Sequence, residues 1–188
     1  MRSRYLEGKE IAAMRRELGA DWLPLAVALS TGLRIGDVLK IRADDLTPQG
    51  VIYTAEKTGK RGFAPLPPAM LQALAHQARG GWCFPSPKVE GKHLTRQAAW
   101  QRMKRAARAA GVSLDGVSPH ALRKCFAVER LHAEGLCAVQ RALQHDRPGV
   151  TETYALADWL TGENAEKPLR RGDLLLIATK IADLLKGH

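Results

Sequence analysis

The sequence predicts a mainly α-helical domain that carries one small antiparallel β-sheet. Three observations predict it. Apolar residues recur at helical spacing over most of the chain, and a single β-prone hairpin pattern interrupts them just after Gly50. The length of 188 residues, with 45% hydrophobic side chains and no long polar tract, suits one compact core.

The elements follow in order. Segments 8–18 and 21–31 read as helices; Trp22, Leu25, Ala26 and Leu29 share one face of the second, and Gly32 closes it. A short helix follows at 34–41. From Gly50 the run Val51, Ile52, Tyr53, Thr54 is β-prone, Lys57-Thr58-Gly59-Lys60 reads as a turn, and Phe63 to Leu66 returns. Pro67-Pro68 opens a helix to Arg79, and 80–93, rich in Gly and Pro, reads as a loop. Thr95 to Ala110 is helical, with Trp100, Met103, Ala107 and Ala110 able to face the core. Ser118 caps a helix with Pro119 at its first position, running to Glu134 and broken by Gly135. A shorter helix is expected at 136–145, a segment at 150–157 carries Tyr154, and 162–168 is a polar hinge. Leu174, Leu175, Ile177, Ile181, Leu184 and Leu185 then mark a final amphipathic helix.

The formal net charge is +10 and the isoelectric point about 9.9, so the surface field favours a polyanionic partner, nucleic acid first. An anionic membrane would also attract cations. No apolar run, however, approaches the roughly 20 residues that a span needs, and no basic-then-apolar signal opens the chain. A soluble, cytoplasmic protein is expected. Cys83, Cys125 and Cys137 are widely spaced and lack a C-x-x-C pairing, which points to buried, reduced thiols. Positive charge concentrates on the helix at 95–110, in Arg96, Arg102, Lys104, Arg105 and Arg108, and on the hairpin in Lys60 and Arg61. On a basic chain these are the candidates to face DNA.

Several short patterns are suited to a phosphate. His120 and Arg123 lie three apart at the start of a helix, where unpaired N–H groups and the helix dipole favour an anion. In Thr31-Gly32-Leu33-Arg34-Ile35-Gly36-Asp37, Arg34 offers the planar fork that two phosphodiester oxygens call for, and Asp37 is spaced to orient it. An ordinary helical ion pair explains the same spacing. Lys57 sits in a turn from which an ammonium could donate a proton to a leaving oxygen, although most turn lysines only meet water. Gly59-Lys60 is no nucleotide-binding loop: the first glycine is missing and Arg61 stands where Ser or Thr belongs. Downstream lie Leu143-Gln144-His145 and then Tyr154, a phenol that needs neighbouring positive charge or a base to act as a nucleophile.

Taken together, Arg34, Lys57, His120-x-x-Arg123, His145 and Tyr154 resemble the signature of the tyrosine recombinases, or phage integrases, in order and at close to the family's intervals. The resemblance covers nearly the whole chain. Gln144 departs from it by replacing the usual glycine before the second histidine, and the Arg123–His145 interval runs slightly short.

The resemblance implies the DNA breaking-rejoining catalytic fold and a set of roles. Tyr154 would attack the scissile phosphate to give a 3′-phosphotyrosine. Arg34 and Arg123 would bind the non-bridging oxygens with help from His145, Lys57 would protonate the leaving 5′-oxygen, and His120 would move the tyrosine proton or hold the phosphate. Asp37 would support Arg34. Residues 1–168 would form the catalytic domain and 169–188 a helical tail that can pass to a neighbouring subunit. The implied partner is double-stranded DNA, bound as a tetramer by a protein that is monomeric when dilute and free. No metal and no other cofactor is implied. Family members usually carry a core-binding domain ahead of the catalytic one, so either a fragment or a small invertase-like protein fits. A type IB topoisomerase activity and a non-catalytic DNA-binding regulator are the alternatives. RNA binding has little support, with three Phe and three Tyr to stack bases.

Overall fold

The computed structural model describes residues 3–134. The expected helix at 136–145, Cys137, His145, Tyr154, the hinge and the tail at 169–188 lie outside the described residues. The chain divides into two units, Met1–Phe126 and Ala127–His188, and the core described below belongs to the first.

Helix α1 (Gly8–Leu18) starts at a capping box in which the Glu10 carboxylate accepts the Glu7 N–H at 2.9 Å. Arg4 reinforces this start. Its guanidinium meets both Glu10 oxygens at 2.6 and 2.7 Å and donates to the Asp115 carbonyl at 2.9 Å, which ties the N-terminal segment to the turn before α6. Gly19, at φ 52, ends α1, and a 3-10 turn over Gly19–Trp22 precedes α2 (Leu23–Thr31). The helix expected from 21 therefore begins slightly later, because Pro24 favours the first turn of a helix rather than its interior. Gly32 closes α2 in the left-handed conformation at φ 69, and α3 (Ile35–Leu39) follows at once.

Strands β1 (Leu46–Thr47), β2 (Gly50–Thr54) and β3 (Arg61–Pro65) form an antiparallel sheet in that order. The register sets Leu46 against Val51, Val51 against Ala64 and Thr54 against Arg61. Alternation puts Val51, Tyr53 and Ala64 inward. The sequence pattern missed β1, since two residues are too short to show a period. Helix α4 (Pro68–Gln77) packs next, and the loop after it is fastened by backbone bonds from Cys83 to the Ile41 carbonyl (3.0 Å) and from Leu94 to the Phe84 carbonyl (2.7 Å). Helix α5 (Arg96–Ala109) starts where the Thr95 side chain accepts the Ala98 N–H at 3.1 Å. Helix α6 spans Pro119–Glu134, with the Ser118 carbonyl accepting the Ala121 N–H at 2.9 Å.

The core gathers one stripe from each element: Met14 of α1, Leu25 and Val27 of α2, Val38 and Leu39 of α3, Val51 of β2, Leu74 of α4, Met103 of α5 and Leu122 of α6, all essentially without solvent contact. Burying a side chain of this size contributes roughly 1.5–3 kcal/mol. Cys83 and Cys125 are buried free thiols, as expected, and burial with Asp45 nearby pushes Cys83 up to about 11.

Candidate active site

Four of the expected catalytic residues, together with Asp37 and Arg96, line one cleft of about 370 Å³ within the first unit, and the four arrive from three separate parts of the chain. Arg34 comes from the α2–α3 turn, Lys57 from the β2–β3 connection, and His120 and Arg123 from the first turns of α6.

The Thr-Gly-Leu-Arg turn is built to aim Arg34. The Thr31 hydroxyl donates back to the Val27 carbonyl (2.6 Å) and accepts the Leu33 N–H (3.2 Å), so the chain leaves α2 in a fixed direction. Gly32 turns it through positive φ, and Arg34, in extended conformation, starts α3. The Gly32 carbonyl accepts a hydrogen bond from Nη1 of Arg123, whose side chain is 4% exposed. A guanidinium buried to that degree loses little further water and side-chain entropy when a second acceptor arrives, so Arg123 is preorganised.

Asp37 is spaced for an ion pair with Arg34, but its Oδ1 accepts the backbone N–H of Glu56 at 2.9 Å instead. Asp37 thus anchors the turn that carries Lys57 rather than orienting Arg34 directly. Helical spacing could not reveal this, because the partner lies in another element and is a backbone group. Past β2, the Ala55 carbonyl accepts the N–H of Thr58 (3.2 Å) and of Gly59 (2.8 Å), closing a tight turn with Lys57 on its exposed rim.

His120 lines the cleft while keeping one side toward water. Partial desolvation, then the positive charges of Arg123 and Arg34, hold its pKa below the ordinary 6.5. The Tyr53 phenol, on the buried face of β2, is pushed up by desolvation; Arg123 and Arg34 oppose that push and Asp37 adds to it.

Three cleft residues escaped the sequence reading in this role: Glu56, Gly36 and, as a wall of the cleft, Arg96. Adjacency to Lys57 was the only signal for Glu56. Of the other basic candidates, Arg102 is engaged by Asp21 at 2.6 Å and the Lys104 ammonium lies 4.2 Å from the centre of the Trp100 ring. Arg105, Arg108, Lys60 and Arg61 are exposed. Among the described residues, no group of three or more His, Cys, Asp or Glu side chains is placed to hold a metal ion, and no helix is long and apolar enough to cross a membrane.

The sequence matches the Phage integrase family over residues 8–159, which takes in both the small sheet and the cleft. The chain belongs to that family. It is 29% identical over 147 residues to the tyrosine recombinase XerD of Vibrio cholerae serotype O1, covering 71% of this chain and 48% of that protein. It is 30% identical over 173 residues to the integrase of Escherichia phage P2, covering 89% of this chain and 48% of that protein. The chain therefore spans about half the length of the curated relatives it matches. Its backbone is similar to that of the XerH site-specific recombinase bound to palindromic difH substrate in a post-cleavage complex, with TM-score 0.72, 18% identity, and coverage of 88% of this chain and 53% of that one. At that identity the likeness concerns the fold.

Proposed function

We propose that this chain is the catalytic part of a site-specific DNA recombinase that cleaves and rejoins strands through a 3′-phosphotyrosine at Tyr154. The observation that carries the reading is the meeting of Arg34, Lys57, His120 and Arg123 in one cleft from three separate regions of the fold. A phosphodiester needs cations where charge grows, an acid for the leaving oxygen and an acceptor for the nucleophile's proton, and this set supplies each.

The step balances without an energy source. The Tyr154 oxygen bonds to phosphorus and its proton passes to neutral His120, while the P–O5′ bond breaks and the leaving oxygen takes a proton from Lys57. Arg34 and Arg123 hold the non-bridging oxygens, with His145 adding a hydrogen bond. A later attack by a 5′-hydroxyl reverses the step and reseals DNA. Loss of one buried guanidinium costs roughly 3–4 kcal/mol of barrier, by analogy with a single oxyanion donor. The DNA partner, a tetramer formed on it, a division near residue 168 and exchange of the 169–188 tail belong to the same proposal. The DNA partner is supported by the family membership and by the DNA complex of the XerH neighbour; the tetramer, the division and the tail exchange rest on the family resemblance.

Covalent trapping tests this reading. Nicked suicide duplexes from the DNA flanking the gene are incubated with wild type and with Tyr154→Phe, then run under denaturing conditions without added metal. The expected result is a protein–DNA adduct from wild type alone. Salt-sensitive binding with no adduct from either protein would point to a DNA-binding regulator or to a fragment that needs a core-binding domain, which repeating the assay with a longer gene product tells apart, and an adduct from Tyr154→Phe would place the nucleophile elsewhere.

A further inference from the structure

Glu56 immediately precedes Lys57, and its carboxylate reaches two other elements of the fold. Its Oε1 lies 3.3 Å from the Lys40 ammonium at the end of α3, and its Oε2 lies 4.0 Å from Nη1 of Arg96 at the start of α5. Its backbone N–H is the one that the Asp37 carboxylate accepts. Gly36 leaves room for this arrangement: a Cβ there would come within 3.2 Å of Glu56 Oε2 and 3.1 Å of Arg96 Cδ. The turn that holds Lys57 is therefore attached at three points, through one residue, to two different helices.

We propose that Glu56 is a positioning residue for Lys57, clipping the β2–β3 turn to α3 and α5 so that the ammonium stays over the leaving 5′-oxygen. The inference rests on the reading of Lys57 as the general acid. The Lys40 pair is about half-exposed and the Arg96 side chain more so, and each pair is weak alone. Their effect lies in geometry, since a proton donor displaced by about 1 Å loses much of its efficiency. Lys57 gives a proton from Nζ as P–O5′ breaks and regains one from water; Glu56 exchanges none.

The test compares suicide duplexes carrying oxygen or bridging sulfur at the 5′ position of the scissile phosphate. A thiolate, from a thiol of pKa about 8.5, departs without a proton, so the sulfur duplex bypasses the general acid. Glu56→Ala should slow the oxygen duplex by about ten- to a hundred-fold and the sulfur duplex by less than about three-fold, the same selective pattern as Lys57→Ala. Glu56→Gln, which keeps shape and the backbone donor, should fall between, and thermal melts keep track of folding for both variants. Equal slowing of the two duplexes, or slowing of neither, would overturn the positioning role. If neither wild type nor a longer gene product forms an adduct with either duplex, the recombinase reading itself falls, an outcome distinct from unaltered Glu56 variants beside an active wild type.

Discussion

Desolvation and the guanidinium groups of Arg123 and Arg34 hold His120 below 6.5, so at neutral pH its ring is uncharged and able to accept a proton. A testable pH dependence follows. The acid limb of cleavage by wild type should lie below 6.5, and His120→Gln should flatten it while lowering the plateau by about a hundred-fold or more. A limb at or above 6.5, or one unchanged in the variant, would remove His120 from the proton path. Stability carries the matching sign: between the two pKa values the unfolded chain binds a proton that the folded chain refuses. His120 therefore lowers stability as pH falls from 6.5 toward the folded value, and the loss levels off beneath it. At this scale Arg34, Lys57, His120 and Arg123 were legible in the sequence because each stands in a short pattern suited to a phosphate. Glu56 was not, because a lone carboxylate in a turn has no spacing to mark it. Asp37 was legible as a carboxylate but not in its partner.

At the scale of elements, the hairpin depends on a bare backbone at Gly50. A Cβ there would stand 2.2 Å from the Ala64 carbonyl oxygen and 2.8 Å from the Pro65 Cα, atoms of the paired strand that cannot step aside without breaking the ladder. Gly50→Ala should destabilise the protein by about 3 kcal/mol, the upper end of overpacking costs, lowering Tm by several degrees in a thermal melt. Gly8→Ala is the control. It meets nothing within 4 Å at the start of α1, so Tm should hold or rise. Equal melts for the two variants would refute the steric reading. The helices were readable because each carries its stripe at the helical period and its own punctuation, such as Thr95 before α5, Pro68 at the start of α4 and Gly32 after α2. Where tertiary contacts set the boundary, as at β1 or the 3-10 turn over Gly19–Trp22, local pattern was silent.

For the whole molecule, a net charge of +10 predicts DNA affinity that falls steeply with salt. The fold sorts which charges are available: Arg105 and Arg108 are exposed, whereas Arg102 is committed to Asp21. In salt titrations of duplex binding, replacing Arg105 and Arg108 by Gln should make the log–log slope shallower by about 0.9 for each phosphate that is no longer neutralised. Arg102→Gln should leave the slope nearly unchanged; the reverse ranking would contradict this assignment of the basic helix. The sequence by itself determined the order of the described elements, the sign of the net charge and which side chains are candidates for chemistry, because periodicity, charge and chemical type are local properties. Only the tertiary structure decided that Arg123 is buried against the Gly32 carbonyl, that Asp37 holds the Lys57 turn, and that Glu56 and Arg96 stand in the same cleft. Those interactions join residues far apart in the chain, and they form only when packing of the core brings α3, α5, α6 and the hairpin to one place.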